Sequence, residues 1–333
     1  MRPDTAWNDR LAALDGHHLQ SWEWGDFKRS HGWTPERILV EAPAGAAMAQ
    51  VLYRHQAGLS LGYVPRGPVF EGDPNALWPM LRSEIDRSAR AHRAILTLLE
   101  PNAPVGLAGT FRQVGVSKFE GHFQPGRTVK IPLGTDDDIL SNMRQKTRYN
   151  VRLAQRRGVQ VESRGVDSID EFYALMQDTS DRNDFGIHTL DYYRDYLDVM
   201  GDRAIMLFAL VDDGTVAASL IAGQFGGEAI YMYGASSTAN RAHGAAFLLQ
   251  YEAMRWARDH GCDTYDLWGI PDQDPEPAAP GKEASGTSGD DWRGLHRFKT
   301  GFGGEIVTYP PMMERRHLPL LPTLVHRLNL VRA

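Results

Sequence analysis

Apolar positions in the first hundred residues follow two different periods. Residues 48–54 and 59–64 alternate in the short period of strands, with turn residues between them, which predicts a β-hairpin. Residues 75–92 have the longer period of a helix. The apolar face of this predicted helix consists of Leu77, Leu81, Ile85 and Ala89. A short apolar run over residues 94–99 then predicts a buried strand.

A second series of elements begins near residue 136. Three aspartates at 136–138 predict the capped start of one long helix, whose apolar side continues to Ala154. The later predicted elements are a strand over 159–162, helices over 168–182 and 189–200, a hairpin over 204–211 and 215–224, a strand over 228–235, a helix over 244–260 and a strand over 264–268. Strands and helices alternate in both halves, which predicts an α/β fold with a mixed α+β sheet in each.

Composition narrows the class of protein. The 333 residues suffice for two domains, and no apolar run approaches the eighteen residues that a membrane span needs. We expect no signal peptide, because residues 1–20 lack an apolar core. The single cysteine, Cys262, and unpaired histidine spacing favour neither a disulfide framework nor a metal site, and no cofactor is expected. The net charge of −6 argues against a dedicated nucleic-acid binder and against DNA as a partner.

A basic stripe is the exception to this acidic balance. Arg144, Arg148, Arg152 and Arg156 recur every four residues, so a helix would place them along one side. Like charges at this spacing repel each other, and almost no acidic residues separate them. The pattern favours an anionic partner, either RNA phosphates or a diphosphate, with a solvated helix face as the ordinary alternative.

Common catalytic motifs are absent from the sequence. There is no phosphate-binding loop of the P-loop or dinucleotide type and no G-x-S-x-G nucleophile elbow. The loop at residues 240–246 precedes a predicted long helix and matches the pyrophosphate loop of acetyl-CoA-dependent acyltransferases only in part. The order strand, loop, helix, strand around it is nevertheless the order of that acyltransferase core. Residues 272–291 have no apolar periodicity and predict a mobile loop.

Six stretches together resemble the FemABX peptidyltransferases, and they occur in that family's order. They are residues 20–25 (QSWEWG) with Lys28 and Gly32–Trp33, 63–68 (YVPRGP), 146–154 (KTRYNVRLA), 231–236 (YMYGAS), 265–269 (YDLWG) and 298–304 (FKTGFGG). The resemblance implies two acetyltransferase-like (GNAT-like) domains in tandem. We expect the first to cover residues 1–145 with 310–333 returning to it, and the second to cover 146–309.

The resemblance also implies an activity. The family transfers an amino acid from an aminoacyl-tRNA to a stem-peptide amine of a peptidoglycan precursor, lipid-linked or UDP-linked, in the cytoplasm. A lipid-linked precursor would add a peripheral contact with the inner face of the plasma membrane. Two alternatives stay open: a CoA-dependent N-acyltransferase of the same fold that acts on another amine, and a non-catalytic binding protein on this scaffold.

Matching positions suggest which residues carry the chemistry. Lys299 would face the reaction centre near the tRNA end and stabilise a developing oxyanion or hold a phosphate. Glu100, before a proline at a strand end, could accept the proton of the attacking amine, or could serve only the turn. Arg148, Arg152 and Arg156, together with Lys299, are the predicted contacts to tRNA.

The precursor-binding residues follow from the same resemblance. Lys28 and Arg66 match positions that face the diphosphate and sugar of the precursor. The other residues that the resemblance assigns to substrate binding are Tyr63, His188, Tyr192, Tyr231 and Tyr233. Arg66 could instead brace its own turn. Family members carry arginine where this chain has His188, and histidine makes an anion contact weaker and dependent on pH. Of Tyr231 and Tyr233, we expect only one to face the cleft and the other to be core.

Overall fold

The computed structural model describes residues 3–102, 115–183, 186–212, 214–238, 243–275 and 292–318. Part of the predicted pyrophosphate-type loop (residues 240–242), most of the predicted mobile loop (276–291) and the end of the chain from residue 319 lie outside these residues.

Helices and strands alternate along most of the described chain. The helices are α1 (Pro3–Ala13), α2 (Trp22–Ser30), α3 (Pro74–Ala91), α4 (Asp136–Asn142), α5 (Gln145–Arg156), α6 (Ile169–Asn183), α7 (Leu190–Met200), α8 (Ala245–Asp259) and α9 (Trp292–Gly301). The strands are β1 (Trp33–Ala42), β2 (Gly45–Gln56), β3 (Leu59–Pro65), β4 (Val69–Gly72), β5 (Ala94–Glu100), β6 (Ser117–Lys118), β7 (Arg127–Pro132), β8 (Gln160–Ser163), β9 (Ala204–Leu210), β10 (Val216–Phe225), β11 (Glu228–Ser236), β12 (Thr264–Ile270), β13 (Glu305–Thr308) and β14 (Met313–Arg316).

The chain forms two compact units. The first unit comprises residues 1–126 and 308–333, and the second comprises residues 127–307. Residues 127–145 group with the second unit, whereas the sequence-based division placed them in the first. The reason is β7, whose residues pair antiparallel with β12 in the sheet of the second unit.

The first unit is built on a mixed sheet in the order β1-β2-β3-β5-β14-β6, with β4 paired to β2. The predicted hairpin is present as β2 and β3, and β3 pairs in parallel with β5. Helix α3 covers this sheet with the predicted apolar face, since Leu77, Leu81, Ile85 and Ala89 are all buried. Strand β14, from the end of the described chain, inserts between β5 and β6.

A buried glutamine ties the start of the first unit to its sheet. The Gln20 side-chain amide donates to the carbonyls of Gln50 and Pro65, and its oxygen accepts from the Gln50 N–H at 2.7 Å. Gln20 is fully buried, so these three main-chain groups depend on it for hydrogen bonds. The amide therefore fixes where α2 and the end of β3 lie in this unit.

The second unit has a mixed sheet in the order β13-β7-β12-β11-β10-β9-β8. Strands β9, β10 and β11 pair antiparallel, whereas β11 and β12 pair in parallel. Helix α8 buries Leu248, Leu249, Ala253 and Met254 in the core of this unit. The prediction of a mixed α/β sheet in each half is thus confirmed.

The predicted long helix after residue 136 is in fact two helices. Helix α4 ends at Asn142, Met143 has extended backbone angles, and α5 begins at Gln145. Ser and Asn at the end of α4 are weak helix formers, and the break buries Met143. The cap is also one residue earlier than predicted: Thr135 caps α4 through a reciprocal capping box with Asp138.

Replacing Gln20 with Leu should destabilise the chain by about 3 kcal/mol, because each buried polar group left without a partner costs about 1–3 kcal/mol. Urea denaturation of the full chain would show this as a lower midpoint. The matched control is Gln56→Leu, an exposed position at the end of β2. Equal midpoints for the two variants would contradict the bracing role of Gln20.

Candidate active site

Two parallel strands of the second unit part from each other and form a wedge. Pairing between β11 and β12 runs from Glu228 opposite Thr264 to Ile230 opposite Asp266. Strand β11 then continues to Ser236 and β12 to Ile270. Beyond the last pair, the main-chain groups of the two strands face the space between them, and Asp266 lies where the strands part.

Lys299 brings its ammonium to this wedge from α9. The side chain is buried, and Nζ donates to the Gly269 carbonyl at 2.8 Å. Nζ also lies 5.5 Å from the centre of the Tyr231 ring, where the aromatic face favours a cation. Burial lowers the pKa of Lys299 to about 8, although the negative charge of Asp266 opposes this shift. The ammonium is thus still mainly charged at neutral pH but is weakly solvated.

The main chain beside Lys299 is kinked. The register of β12 against β7 shifts between Asp266 and Gly269, and Trp268 has a left-handed φ of 61°. Asp266 accepts hydrogen bonds from the Trp268 N–H at 2.6 Å and from the Thr128 hydroxyl. The kink therefore sits between a buried carboxylate and the carbonyl that holds Lys299.

Tyr231 and Tyr233 point to opposite sides of the sheet. Strict alternation would place residues two apart on the same face. Here Tyr231 is opposite Ala222 and Tyr233 is opposite Ile221, so Met232 is the extra residue of a β-bulge. Tyr231 packs on the core and below Lys299, while Tyr233 faces the tyrosines of α7. The two side chains differ through a bulge that the sequence does not reveal, and the expectation that one of them faces a cleft stays a prediction.

His188 and Tyr192 belong to an aromatic cluster on the α7 side of the sheet. Their rings stack at 3.8 Å with 15° between the planes, and both contact the Tyr233 ring edge-on. Burial raises the pKa of Tyr192 to about 12, so its hydroxyl stays protonated at neutral pH. The structure thus brings three of the predicted precursor-binding residues together in one cluster.

Lys28 in the first unit lies among aromatic rings. Its Nζ is 5.7 Å from the centres of both the Trp24 and the Trp33 rings, and Arg54 faces Trp33 at 5.4 Å. Burial first, and then the charge of Arg54, lower the pKa of Lys28 to about 8. Two cations near one indole ring make this part of the first unit a candidate for contact with an anion.

Tyr63 and Glu100 hydrogen-bond to each other in the interior of the first unit. The Tyr63 hydroxyl donates to Glu100, which also accepts from the main-chain N–H groups of Phe123, at 2.6 Å, and Gln124. Both carboxylate oxygens of Glu100 therefore already accept hydrogen bonds. These contacts favour the turn-bracing alternative for Glu100 over proton acceptance.

Arg66 is 2% exposed, which bears on its two predicted roles. Its guanidinium donates to the Pro125 carbonyl at 2.8 Å and stacks on the Tyr309 ring at 3.6 Å. A side chain enclosed in this way holds the turn that carries Arg66 against Pro125 and Tyr309 of the same unit. Contact with a precursor stays a prediction that the geometry disfavours.

The basic stripe divides into two parts on α5. Arg148 is half-buried and donates to the carbonyls of Leu140 and Met143, at the end of α4. Arg152 and Arg156 are exposed, and Arg156 lies 5.7 Å from the ring centre of Tyr149. Arg148 thus has a structural contact, whereas contact of Arg152 and Arg156 with an anionic partner stays a prediction.

Sequence reasoning missed two charged residues of these sites. Asp266 was noticed only as part of a motif, although a carboxylate within an apolar strand is a usable signal. Arg54 gives no such signal, because its position opposite Trp33 depends on the register of β1 and β2. Within the described residues, no group of three His, Cys, Asp or Glu side chains could hold a metal ion, and no helix is long and apolar enough to cross a membrane.

Comparison with known families identifies the chain. The FemAB family model matches residues 117–214 and 211–314, more than half of the sequence. The chain belongs to the FemAB family. A lipid II:glycine glycyltransferase from Staphylococcus haemolyticus (strain JCSC1435) is 25% identical over 347 residues, covering 79% of this chain and 82% of that protein.

Solved structures show the same fold. The crystal structure of FemX matches with a TM-score of 0.84 and 20% identity, covering 98% of both chains. A tandem GNAT protein from the clavulanic acid biosynthesis pathway matches with a TM-score of 0.52 and 12% identity, covering 86% of this chain and 84% of its own. The predicted fold class, two acetyltransferase-like domains in tandem, is confirmed.

Proposed function

We propose that this chain is an aminoacyltransferase that moves an amino acid from an aminoacyl-tRNA to the stem-peptide amine of a peptidoglycan precursor, and so builds an interpeptide bridge. The observation that carries the proposal is the buried ammonium of Lys299 at the wedge between β11 and β12. Family membership and the similarity to lipid II:glycine glycyltransferases support the same reaction.

Lys299 suits the charge that develops in this reaction. The amine attacks the ester carbonyl, a C–N bond forms, and the carbonyl oxygen becomes negative. The ester C–O bond then breaks, and the ribose oxygen leaves with the proton that the amine gives up. An ammonium in a poorly hydrated site stabilises the oxyanion more than it stabilises the neutral ester. Positioning supplies a further part of the rate, because aminoacyl esters are already reactive.

The precursor's diphosphate has a fitting partner in the first unit. Lys28 and Arg54 near Trp33 provide two positive charges, and an anion beside them would offset the burial of Lys28. His188 is exposed and stacks on the buried Tyr192, so its ring is the side of this aromatic cluster that a ligand could contact. A lipid-linked precursor would bring the protein to the inner face of the plasma membrane, and a UDP-linked one would leave it in the cytoplasm.

We assign the proposed contact with tRNA to the exposed arginines of α5. Arg152 and Arg156 are exposed, and regularly spaced arginines bind phosphates without reading bases. This contact requires no cofactor, since the aminoacyl-tRNA itself is the co-substrate.

Incubating the protein with mixed aminoacyl-tRNAs and a muropeptide should yield a product heavier by one or more aminoacyl residues, read by mass spectrometry. Lys299→Met should lower turnover about 10²–10³-fold with the fold intact, because one transition-state donor is lost. Lys118→Met, an exposed lysine of the first unit, is the matched control and should keep full turnover. A product heavier by an acetyl group, formed only with acetyl-CoA, would instead support the CoA-dependent alternative.

Reversing Arg152 and Arg156 to glutamate should weaken the binding of all aminoacyl-tRNAs alike. Each lost phosphate contact should flatten the log–log salt dependence of affinity by about 0.7–0.9. Titrations at two salt concentrations measure this, with Arg87→Glu on α3 as the control for charge reversal at an exposed site.

Binding of the muropeptide should be unchanged in the double variant. Loss of muropeptide binding with intact tRNA binding would mean that the stripe lines the precursor site. Unchanged affinity for both ligands would leave the stripe as a solvated helix face.

A further inference from the structure

Asp266 is a carboxylate enclosed in the core of the second unit. Its exposure is 0%, and it stands at the last paired position of the parallel ladder between β11 and β12. Burying a charge is unfavourable by several kcal/mol unless hydrogen bonds or an opposite charge compensate. Its surroundings should therefore show what this carboxylate stabilises.

One oxygen of Asp266 stabilises the kink in β12. Oδ1 accepts from the Trp268 N–H at 2.6 Å and from the Thr128 hydroxyl. A tryptophan with φ of 61° is in a region that bulky residues rarely occupy, and such a conformation persists only when neighbouring contacts hold it. The next residue, Gly269, turns its carbonyl to the Lys299 ammonium at 2.8 Å. Asp266 and Lys299 are thus joined through three residues of main chain.

The second carboxylate oxygen of Asp266, Oδ2, is also buried. Within the described residues it has no hydrogen-bond partner. Its negative charge acts on the Lys299 ammonium and raises the pKa of that group, opposite to the larger effect of burial. The attraction between this carboxylate and the Lys299 ammonium therefore offsets part of the cost of burying their charges.

Among the residues that the structure describes, Asp266 is the charged group that acts on the Lys299 ammonium. From β11, the Tyr231 ring faces the ammonium and is uncharged at neutral pH, because burial raises the pKa of its hydroxyl to about 12. On α9 itself, His296 faces Asp274 at 3.4 Å. From α5, Thr147 lies against Gly301, and the Arg148 guanidinium is turned to the carbonyls that end α4.

We propose that Asp266 is a positioning residue for Lys299, which it orients through the kinked main chain of β12 and whose positive charge it maintains, without touching either substrate. Its complete burial excludes direct contact with a substrate, so its influence passes through Lys299. The inference rests on the proposed role of Lys299 in aminoacyl transfer. It adds a determinant of the pH range in which that role is performed.

The test is the pH profile of Asp266→Asn. Asparagine keeps an oxygen for Trp268 and Thr128 but removes the charge, so the pKa of Lys299 should fall by about one unit or more. The alkaline limb of kcat should move to lower pH by the same amount. For each unit by which the pKa falls, activity above pH 8 should drop about tenfold. At pH 6 the variant should keep near wild-type activity. Thr128→Val keeps the charge and should leave the alkaline limb in place.

A second readout does not depend on activity. The chain has six lysines, so NMR of 13C-labelled lysine can follow the Lys299 titration, assigned with Lys299→Met. A lower midpoint in Asp266→Asn supports the proposal even if the chain proves to transfer a different acyl group. An unmoved midpoint and an unmoved alkaline limb in a folded variant overturn it. Should Asp266→Asn fail to fold, Asp266→Ser also removes the charge and carries the same prediction.

Discussion

Strands β11 and β12 pair over three residues and then diverge, and the chemistry of the second unit depends on this divergence. A continuous ladder would have satisfied their main-chain groups and closed the space that Lys299 enters. Because the strands part, the interior contains an ammonium with a main-chain carbonyl, an aromatic face and a carboxylate around it. An ammonium of this kind is held in place before the reaction begins, so it does not have to reorganise when negative charge develops.

The first unit also holds a partly buried lysine, Lys28, beside aromatic rings. Lys28 and Arg54 are both held near Trp33, and the charge of Arg54 adds to burial in lowering the pKa of Lys28. An anionic ligand beside the two side chains would weaken the repulsion between them. Arg54 places a second cation near the Trp33 ring beside Lys28, and both belong to the proposed contact with the diphosphate of a precursor.

Periodicity predicted many of the helices and strands and a mixed sheet in each half, but not the order of the strands, because burial of one helix face or one strand face determines the spacing of apolar residues and not which strands pair. The face of α3 and the hairpin of β2 and β3 are examples. Periodicity could not predict features that depend on register. The bulge at Met232 and the kink at Trp268 each change the direction of a side chain through one residue, with no local signal in composition. At Arg66 and Glu100 the sequence left a ligand-binding or catalytic role and a structural role open, because charged residue types fit both, and the internal contacts of these side chains favour the structural role.

The central claim, that a weakly solvated ammonium sits at the strand wedge, has a direct measurement. NMR of 13C-labelled lysine in the wild-type chain would give the titration midpoint of Lys299, distinguished from Lys28 by assignment. The account predicts a midpoint of about 8, well below the ordinary lysine value of 10.5. A midpoint at the ordinary value would show that the Lys299 ammonium is fully hydrated and would contradict the account.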